Sequence, residues 1–339
     1  MKIVCFDVKD YERNMLEKLS EIADELVLIE DSFHSNFANN LEKIKDADII
    51  SVFVNSMVGS DDLSQLPNLK FIATRSTGFS HIDLDYCQEN GIAVSTVPRY
   101  GDVTIAEYAF ALLLASAKKI VLSSSDLKNG VIEPDNYIGI DLFGKTVGVI
   151  GVGAIGRQFC RIANAIGMNI LGYDLYPNEQ AIKDYNVKFA DLETLLKESD
   201  IISIHAPSTK DNVHLIDKKQ FEMMKEGVIL INTARGEILN TEALYESLLS
   251  GKVASCGLDV LECEDIIRNE DDFLQKDECK IIACLKKTLI NHRLLKMKNV
   301  IVTPHVAYDS KEAIERILST TNDNIKSFLA SNIQNNVIN

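Results

Sequence analysis

A chain of 339 residues is long enough for two domains of ordinary size, and its 46% of hydrophobic residues can supply a core for each. The formal net charge of −15 argues against nucleic acid or an anionic membrane as a partner. The N-terminus begins a strand pattern without a signal or membrane-spanning stretch, and several of the seven cysteines lie in apolar patterns typical of buried reduced thiols. We therefore expect a cytoplasmic protein.

The first hundred residues alternate short apolar runs with helical patterns, which predicts an α/β unit. One predicted strand, Lys70–Thr74, runs into the loop Arg75-Ser76-Thr77-Gly78-Phe79. Open α/β sheets bind ligands at the carboxyl ends of their strands, and successive backbone N–H groups around a glycine can hold a carboxylate. The loop is thus a candidate anion site, with an ordinary turn between strand and helix as the alternative.

A long apolar helix is predicted from Thr104 to about Leu122. Its apolar residues cover too wide an arc for a single stripe, so the pattern predicts burial on more than one side. We interpret this helix as a bridge between the two domains and as a candidate dimer surface.

The middle of the chain contains the pattern of a dinucleotide-binding unit. A β-branched strand pattern ends at Ile150, and Gly151, Gly153 and Gly156 follow at G-x-G-x-x-G spacing before a helical pattern. These glycines suit a tight turn, a close approach of backbone to a pyrophosphate, and close packing of helix on strand. The next strand ends at Asp174, eighteen positions after Gly156, where a carboxylate would hold an adenosine ribose. An acid there favours NAD, because the 2′-phosphate of NADP would meet a like charge.

Beyond this unit the strand and helix patterns continue to alternate, which predicts a doubly wound parallel sheet. A nicotinamide-dependent reduction of a carbonyl needs a cation to orient an anionic substrate and an acid to protonate the carbonyl oxygen. Arg235, Glu264 and His305 offer such groups in loops after predicted strands. Each of them, taken singly, could also be an ordinary loop or capping residue.

The ordered motifs together resemble the D-2-hydroxyacid dehydrogenase family, and its D-lactate dehydrogenase branch most closely. They cover essentially the whole chain and read T-R-S-T-G-F-S-H-I-D, V-P-R-Y, G-V-G-A-I-G-R, H-A-P, N-T-A-R-G-E, G-L-D-V-L-E-C-E and T-P-H-V-A. The resemblance implies two doubly wound parallel-sheet domains: a flavodoxin-like substrate domain (residues 1–100 and 310–339) and an inserted NAD-binding Rossmann domain (101–309). It also implies a homodimer.

The resemblance further implies roles for single residues. Arg235 would bind the substrate carboxylate and polarise the keto group, His305 would be the general acid–base, and Glu264 would hydrogen-bond that histidine. The residues implied to contact NAD are Gly151, Gly153, Ala154, Ile155, Gly156, Asp174, His205, Ala206, Pro207, Asn212, Thr233, Ala234 and Asp259. The residues implied to contact the substrate are Ser76, Thr77, Gly78, Phe79, Tyr100, Arg235 and Tyr308.

Two features depart from the family pattern. Tyr308 stands three positions after His305, where the lactate branch often has Phe, which leaves the size and polarity of the substrate pocket open. Forty residues separate Glu264 from His305, more than the family usually carries. We interpret residues 265–299 as an insert that shapes access to the site or assembly.

The expected reaction is reduction of a small 2-keto acid by NADH, with pyruvate to D-lactate as the leading candidate. A dehydrogenase for bulkier D-2-hydroxy acids, such as hydroxyisocaproate or phenyllactate, is one alternative. A dinucleotide-sensing regulatory protein without turnover is another. No metal is expected, because the sequence lacks clustered ligands.

Overall fold

The computed structural model describes residues 1–35, 37–264 and 278–338. The chain forms two compact units, Met1–Tyr100 with Asp309–Asn339, and Gly101–Tyr308. The first part of the expected insert, residues 265–277, lies outside the described residues.

The first unit is built on five parallel strands, β1 (Lys2–Cys5), β2 (Glu25–Leu28), β3 (Ile49–Val52), β4 (Phe71–Thr74) and β5 (Ala93–Ser95). Their spatial order is β2-β1-β3-β4-β5, which is that of flavodoxin-like folds. Strands β1, β3 and β4 are buried at every position, as expected where helices cover both faces of a parallel sheet.

The helices of this unit come from both ends of the chain. They are α1 (Asp10–Leu16), α2 (Phe37–Ile44), α3 (Ser60–Leu63), α4 (Leu84–Glu89) and, near the C-terminus, α13 (Lys311–Leu329). The ring of Phe328 in α13 stacks on that of Phe71 in β4, with centroids 4.4 Å apart. This contact fixes the last helix on the sheet of the first unit.

The second unit is built on seven parallel strands, β6 (Thr146–Ile150), β7 (Asn169–Tyr173), β8 (Lys188–Phe189), β9 (Ile201–Ile204), β10 (Val228–Asn232), β11 (Val253–Leu258) and β12 (Val300–Val302). Their order is β12-β11-β10-β9-β6-β7-β8. The chain therefore winds outward in both directions from the neighbouring pair β6 and β9, and this reversal places a ligand crevice at their carboxyl ends. The two parallel sheets confirm the predicted α/β fold class.

The helices of the second unit are α5 (Asp102–Ala117), α6 (Ile120–Lys128), α7 (Ala154–Ile166), α8 (Glu179–Tyr185), α9 (Leu192–Glu198), α10 (Lys218–Met223), α11 (Thr241–Ser250) and α12 (Glu278–Leu294). Helices α5 and α7 pack together in the core, where the rings of Phe110 and Phe159 lie 5.5 Å apart. None of the described helices combines the length and the apolar character that a membrane crossing requires.

The single helix predicted from Thr104 to Leu122 is wrong in its C-terminal part. Helix α5 ends at Ala117, and α6 begins at Ile120 as a separate helix. Lys119 between them has a left-handed backbone with φ of 56°, which a right-handed helix cannot continue. Apolar periodicity did not show this break, because apolar residues resume at Ile120 directly after Lys118 and Lys119.

Several cysteines are buried reduced thiols, as expected: Cys5, Cys87, Cys160 and Cys256 are free and buried. Cys263 and Cys284 form a disulfide across 21 positions of sequence, a pairing that the sequence patterns did not predict. The side chain of Cys279 lies outside the described residues.

A fully buried arginine holds the loop that follows β4. The Nη2 atom of Arg75 donates to the carbonyl oxygens of Phe6 and Asp7, at 2.6 and 3.1 Å, and Nη1 donates to Ser51 Oγ at 3.1 Å. Its Nε lies 3.6 Å from a carboxylate oxygen of Glu12. Arg75 thereby ties the start of the candidate anion loop to the ends of β1 and β3.

We predict that Arg75→Met lowers the free energy of unfolding by about 3 kcal/mol, because it leaves a carboxylate and two carbonyls in the interior without a cationic donor. The control is Arg13→Met, which breaks an ion pair with the exposed Glu30 and should cost less than about 1 kcal/mol. Urea unfolding of both variants measures the difference. Equal costs would show that the buried contacts of Arg75 do not stabilise the unit.

Candidate active site

The glycine turn after β6 leaves no room for side chains at two of its three glycines. Gly151 has φ of 87°, and a Cβ there would lie 2.5 Å from the backbone nitrogen of Ala206. A Cβ on Gly156 would lie 2.1 Å from the carbonyl oxygen of Gly151. Gly153 precedes the first turn of α7 and has open space where its Cβ would point. The turn is therefore packed on its inner side and open on the side where a pyrophosphate would approach.

Asp174 is fixed beside this turn. Its Oδ2 accepts a hydrogen bond from the backbone nitrogen of Val152 at 2.7 Å, and Oδ1 accepts one from that of Tyr176 at 2.9 Å. The carboxylate is thus oriented by backbone donors at the end of β7, directly next to the glycine turn. This is the arrangement needed to hold a ribose next to a bound pyrophosphate.

The loop after β9 contacts the glycine turn through its backbone, and the ring of its histidine, His205, is buried. The backbone nitrogen of His205 donates to the carbonyl oxygen of Ile150 at 2.7 Å, and the ring packs on Phe159 with centroids 4.9 Å apart. Burial lowers the pKa of His205 to about 3, so the imidazole is neutral. Asn212 closes the loop by donating to the carbonyl oxygen of Pro207 at 2.6 Å.

The loop after β10 carries Arg235, whose side chain is exposed. Asn232 braces this loop by accepting from the backbone nitrogen of Ala234 and donating to the carbonyl oxygen of Arg235. A Cβ on Gly236 would lie 2.1 Å from the carbonyl carbon of Leu261. This close approach joins the arginine loop to the segment after β11. Thr233, predicted to lie near the nicotinamide, is buried with no hydrogen-bond partner for its hydroxyl among the described residues.

The structure pairs the predicted acid with the predicted histidine. His305 Nδ1 lies 2.5 Å from Glu264 Oε1, and Glu264 Oε2 accepts from the backbone nitrogen of Leu261 at 3.1 Å. Both side chains are partly exposed. Because Nδ1 is engaged by the carboxylate, Nε2 is the ring nitrogen that can exchange a proton with a substrate.

Asp259 fixes the loop of His305 through hydrogen bonds, a role that the sequence did not indicate. Its carboxylate accepts from Thr303 Oγ1 at 2.6 Å and from the backbone nitrogens of Val306 and Ala307 at 3.0 and 2.8 Å. Burial raises the pKa of Asp259, while these hydrogen bonds oppose the rise. The loop needs this support, because His305 itself has a left-handed backbone with φ of 57°.

Glu262, two residues before Glu264, is a buried anchor that sequence reasoning missed. Its Oε1 accepts from Lys287 Nζ at 2.6 Å and lies 2.7 Å from His214 Nε2, while Oε2 accepts from Thr241 Oγ1 at 2.7 Å. Burial acts to raise the pKa of Glu262, but the hydrogen bonds from Lys287, His214 and Thr241 outweigh it and hold that pKa below its ordinary value. The only sequence signal for Glu262 was its place in the E-C-E motif. The residues that bind its carboxylate are distant in sequence.

The residues implied to bind substrate fall in both units. In the first unit, Ser76 Oγ donates to the carbonyl oxygen of Gly78 at 2.6 Å, and Thr77 Oγ1 donates to that of Val97 at 2.7 Å. Phe79 is exposed at the tip of this loop. Tyr100 closes the first segment of that unit, and Tyr308 is the last residue of the second unit. The described residues contain no group of three His, Cys, Asp or Glu side chains that could hold a metal ion.

We predict that Gly156→Ala and Gly153→Ala separate folding from cofactor binding. Gly156→Ala forces the helix away from the turn and should cost about 3 kcal/mol of stability. Gly153→Ala should leave stability unchanged and weaken NADH binding by about tenfold, since its methyl occupies the open side of the turn. Thermal unfolding and NADH fluorescence titration measure the two effects, and an unaltered NADH affinity in Gly153→Ala would contradict the assignment.

We predict that the stability supplied by Glu262 depends on pH. A carboxyl group whose pKa is lowered by folding stabilises above its unfolded pKa, near 4.5, and loses that effect as the pH falls through its folded pKa. Glu262→Gln should therefore cost about 2 kcal/mol at pH 7. The difference from the parent protein should shrink steadily in unfolding experiments performed below pH 4.5. A cost that stays constant through the acid range would show that Glu262 is not bound as a carboxylate.

Comparisons with known proteins agree with this geometry. The family described as D-isomer specific 2-hydroxyacid dehydrogenase, NAD binding domain, matches residues 110–307. The D-lactate dehydrogenase of Escherichia coli is 32% identical over 96% of both chains, and the aromatic 2-oxoacid reductase of Clostridium sporogenes is 35% identical over 97% of this chain and 96% of its own.

A third relative is longer than this chain. The D-3-phosphoglycerate dehydrogenase of Archaeoglobus fulgidus is 36% identical over 80% of the present chain, which spans about half (48%) of that relative's length. Among solved structures, the D-lactate dehydrogenase of Aquifex aeolicus complexed with NAD and lactic acid superposes with a TM-score of 0.84 at 33% identity, over 99% of both chains.

The family match covers the whole glycine turn, the arginine loop and the His305–Glu264 pair. The predicted resemblance and the predicted cofactor, NAD, are thereby confirmed. The chain belongs to the D-isomer specific 2-hydroxyacid dehydrogenase family, a family of NAD-dependent oxidoreductases that act on CH–OH groups.

Proposed function

We propose that this protein reduces a small 2-keto acid to the D-2-hydroxy acid, with pyruvate to D-lactate as its leading reaction. The observation that carries the proposal is the hydrogen bond between His305 Nδ1 and Glu264 Oε1, in the loops after β12 and β11, at the same edge of the parallel sheet as the glycine turn. The relatives that act on lactate support the choice of substrate.

The proposed mechanism divides the work among three side chains. NADH supplies, when bound, a hydride for the keto carbon. The guanidinium of Arg235 binds the substrate carboxylate through two parallel N–H donors and polarises the keto group. His305 holds a proton at Nε2 for the carbonyl oxygen, and Glu264 fixes the ring orientation and stabilises the imidazolium through Nδ1.

Cofactor binding is assigned to the second unit. We propose that the turn from Gly151 to Gly156 receives the pyrophosphate at the first turn of α7, and that Asp174 binds the adenosine ribose. The loop residues His205, Ala206, Pro207, Asn212, Thr233, Ala234 and Asp259 complete this site. The division into a substrate domain (1–100 and 310–339) and a cofactor domain (101–309) belongs to the same proposal.

Substrate contacts are proposed for each unit separately. In the first unit, backbone N–H groups of Ser76–Phe79 would bind the substrate carboxylate or keto oxygen, and Tyr100 would contact the substrate. In the second unit, Tyr308 would contact the substrate. A phenol at position 308 adds a polar group where the lactate branch often has Phe, so it favours a substrate that offers a hydrogen-bond partner or a small side chain.

A cytoplasmic homodimer is the proposed assembly. Support for the dimer comes from the apolar side chains that α6 and the following segment leave exposed: Ile120, Val121, Leu127, Ile132, Ile138 and Phe143. Exposed apolar side chains in such number are typical of a surface covered by another chain.

Bulkier substrates are the alternative, which the aromatic 2-oxoacid reductase among the relatives favours. The deciding experiment follows NADH oxidation with pyruvate, oxaloacetate, 2-ketoisocaproate and phenylpyruvate. We expect kcat/KM for pyruvate to exceed that for phenylpyruvate by roughly tenfold or more. The reverse order would assign the protein to bulky acids, and binding of NADH without reduction of any keto acid would favour a dinucleotide sensor.

We predict that His305→Ala lowers kcat by roughly a hundredfold or more and leaves NADH affinity unchanged, because a general acid is lost and the glycine turn is untouched. The control is His34→Ala, which removes an exposed histidine paired with Asp62 and should keep full activity. Steady-state kinetics and NADH titration measure both variants. A His305→Ala enzyme with the parent rate would remove this residue from the mechanism.

A further inference from the structure

Cys263 and Cys284, which form the disulfide, are more exposed to solvent than the four free cysteines. Cys5, Cys87, Cys160 and Cys256 are buried, and burial raises the pKa of each thiol to about 12. Such thiols are protonated and shielded from exchange. Cys263 and Cys284 are only half-buried. A small thiol or disulfide can therefore reach this pair.

The disulfide is attached directly to the acid of the candidate active site. Cys263 lies between the buried anchor Glu262 and Glu264, whose carboxylate binds His305. The backbone of Cys263 is left-handed, with φ of 56°. A residue with a Cβ keeps this conformation only where its surroundings hold it.

Helix α12 contacts this segment through one face. Cys284, Lys287 and Asn291 follow one another at spacings of three and four residues, which places them on the same side of the helix. Cys284 forms the disulfide, Lys287 Nζ binds Glu262 Oε1 at 2.6 Å, and Asn291 Nδ2 donates to the carbonyl oxygen of Glu262 at 2.8 Å. Two of these links end on Glu262, and the disulfide is the link next to Glu264.

We propose that Cys263 and Cys284 form a redox-responsive site that sets the position of Glu264, and through it the rate of proton transfer by His305. With the disulfide closed, α12 holds the backbone of Cys263 in its left-handed conformation. With the disulfide open, the contacts of Glu262 remain, but Cys263 is released and Glu264 loses its fixed position. This inference rests on the proposed function of the His305–Glu264 pair.

The chemistry is thiol–disulfide exchange with a low-molecular-weight disulfide of the glutathione type. One cysteine thiolate attacks a sulfur of the small disulfide and forms a mixed disulfide, which releases one small thiolate. The second cysteine thiolate then attacks the sulfur of the first cysteine in the mixed disulfide and releases the other small thiolate. The two cysteines lose two electrons and two protons in total, and the small disulfide is reduced to two thiols. Excess small thiol drives the same steps in reverse.

The experiment compares the full-length enzyme after equilibration with oxidised or with reduced glutathione. Mass spectrometry after alkylation reports the state of the pair, and steady-state kinetics report kcat, KM and the pH dependence of kcat/KM. We expect reduction to lower kcat about fivefold, because a displaced catalytic group loses rate steeply with distance. The KM for NADH should not change, and the pH at which kcat/KM falls to half should move.

Two variants separate this site from a purely structural link. Cys284→Ser should behave as the reduced enzyme under both conditions, whereas Cys279→Ser, on the same helix, should keep the full redox response. Parent enzyme with the same kcat and the same pH dependence in both redox states would overturn the proposal, as would a redox response that persists in Cys284→Ser.

Hydrogen exchange distinguishes a failure of this proposal from a failure of the proposed function. The amides of residues 261–264 should exchange faster in the reduced protein, whether or not any keto acid is turned over. Hydrogen exchange that depends on the redox state, without turnover of any keto acid, would contradict the proposed function but support the redox site. Turnover with the same hydrogen exchange in the oxidised and reduced protein would contradict the redox site alone.

Discussion

The hydrogen bond between His305 and Glu264 is the interaction on which the rest of the site depends. An imidazole can carry a proton to a substrate only if one nitrogen faces it, and the carboxylate on Nδ1 makes that choice. Neither side chain is placed by its own strand alone. Asp259 fixes the loop of the histidine through three hydrogen bonds, and Glu262 fixes the segment of the acid through Lys287, His214 and Thr241.

These supports share a physical logic. Asp259 and Glu262 are buried carboxylates in the segment after β11, where backbone and side-chain donors of neighbouring loops are within reach. A buried carboxylate is costly unless donors surround it, so each one specifies a single arrangement of the chain around it. His305 and Glu264 can then be partly exposed and still be held in one arrangement.

A feature could be predicted from the sequence when the residues that form it are close together along the chain. The glycine turn, Asp174 and the strand β6 are coded by neighbouring residues, so pattern alone located them. Arg235, Glu264 and His305 needed the resemblance, because a single charged loop residue has no periodicity. Glu262, the loop contacts of Asp259 and the pairing of Cys263 with Cys284 were missed, since their partners lie far along the chain. The break at Lys119 was missed for a different reason: apolar residues resume at Ile120 after Lys118 and Lys119, so the pattern looks like one helix although a single residue is left-handed.

The contact between Gly236 and Leu261 has a consequence for how such an enzyme can change over evolution. With no space for even a methyl group between them, the arginine loop and the segment that leads to Glu264 can shift only together. Any mutation that moves one would disturb the other, so these two segments are expected to resist variation. Gly78 in the first unit has no atom within 4 Å of the position its Cβ would take. Under the proposed role of this loop in substrate binding, single substitutions there would change substrate preference while the proposed reaction chemistry stays the same.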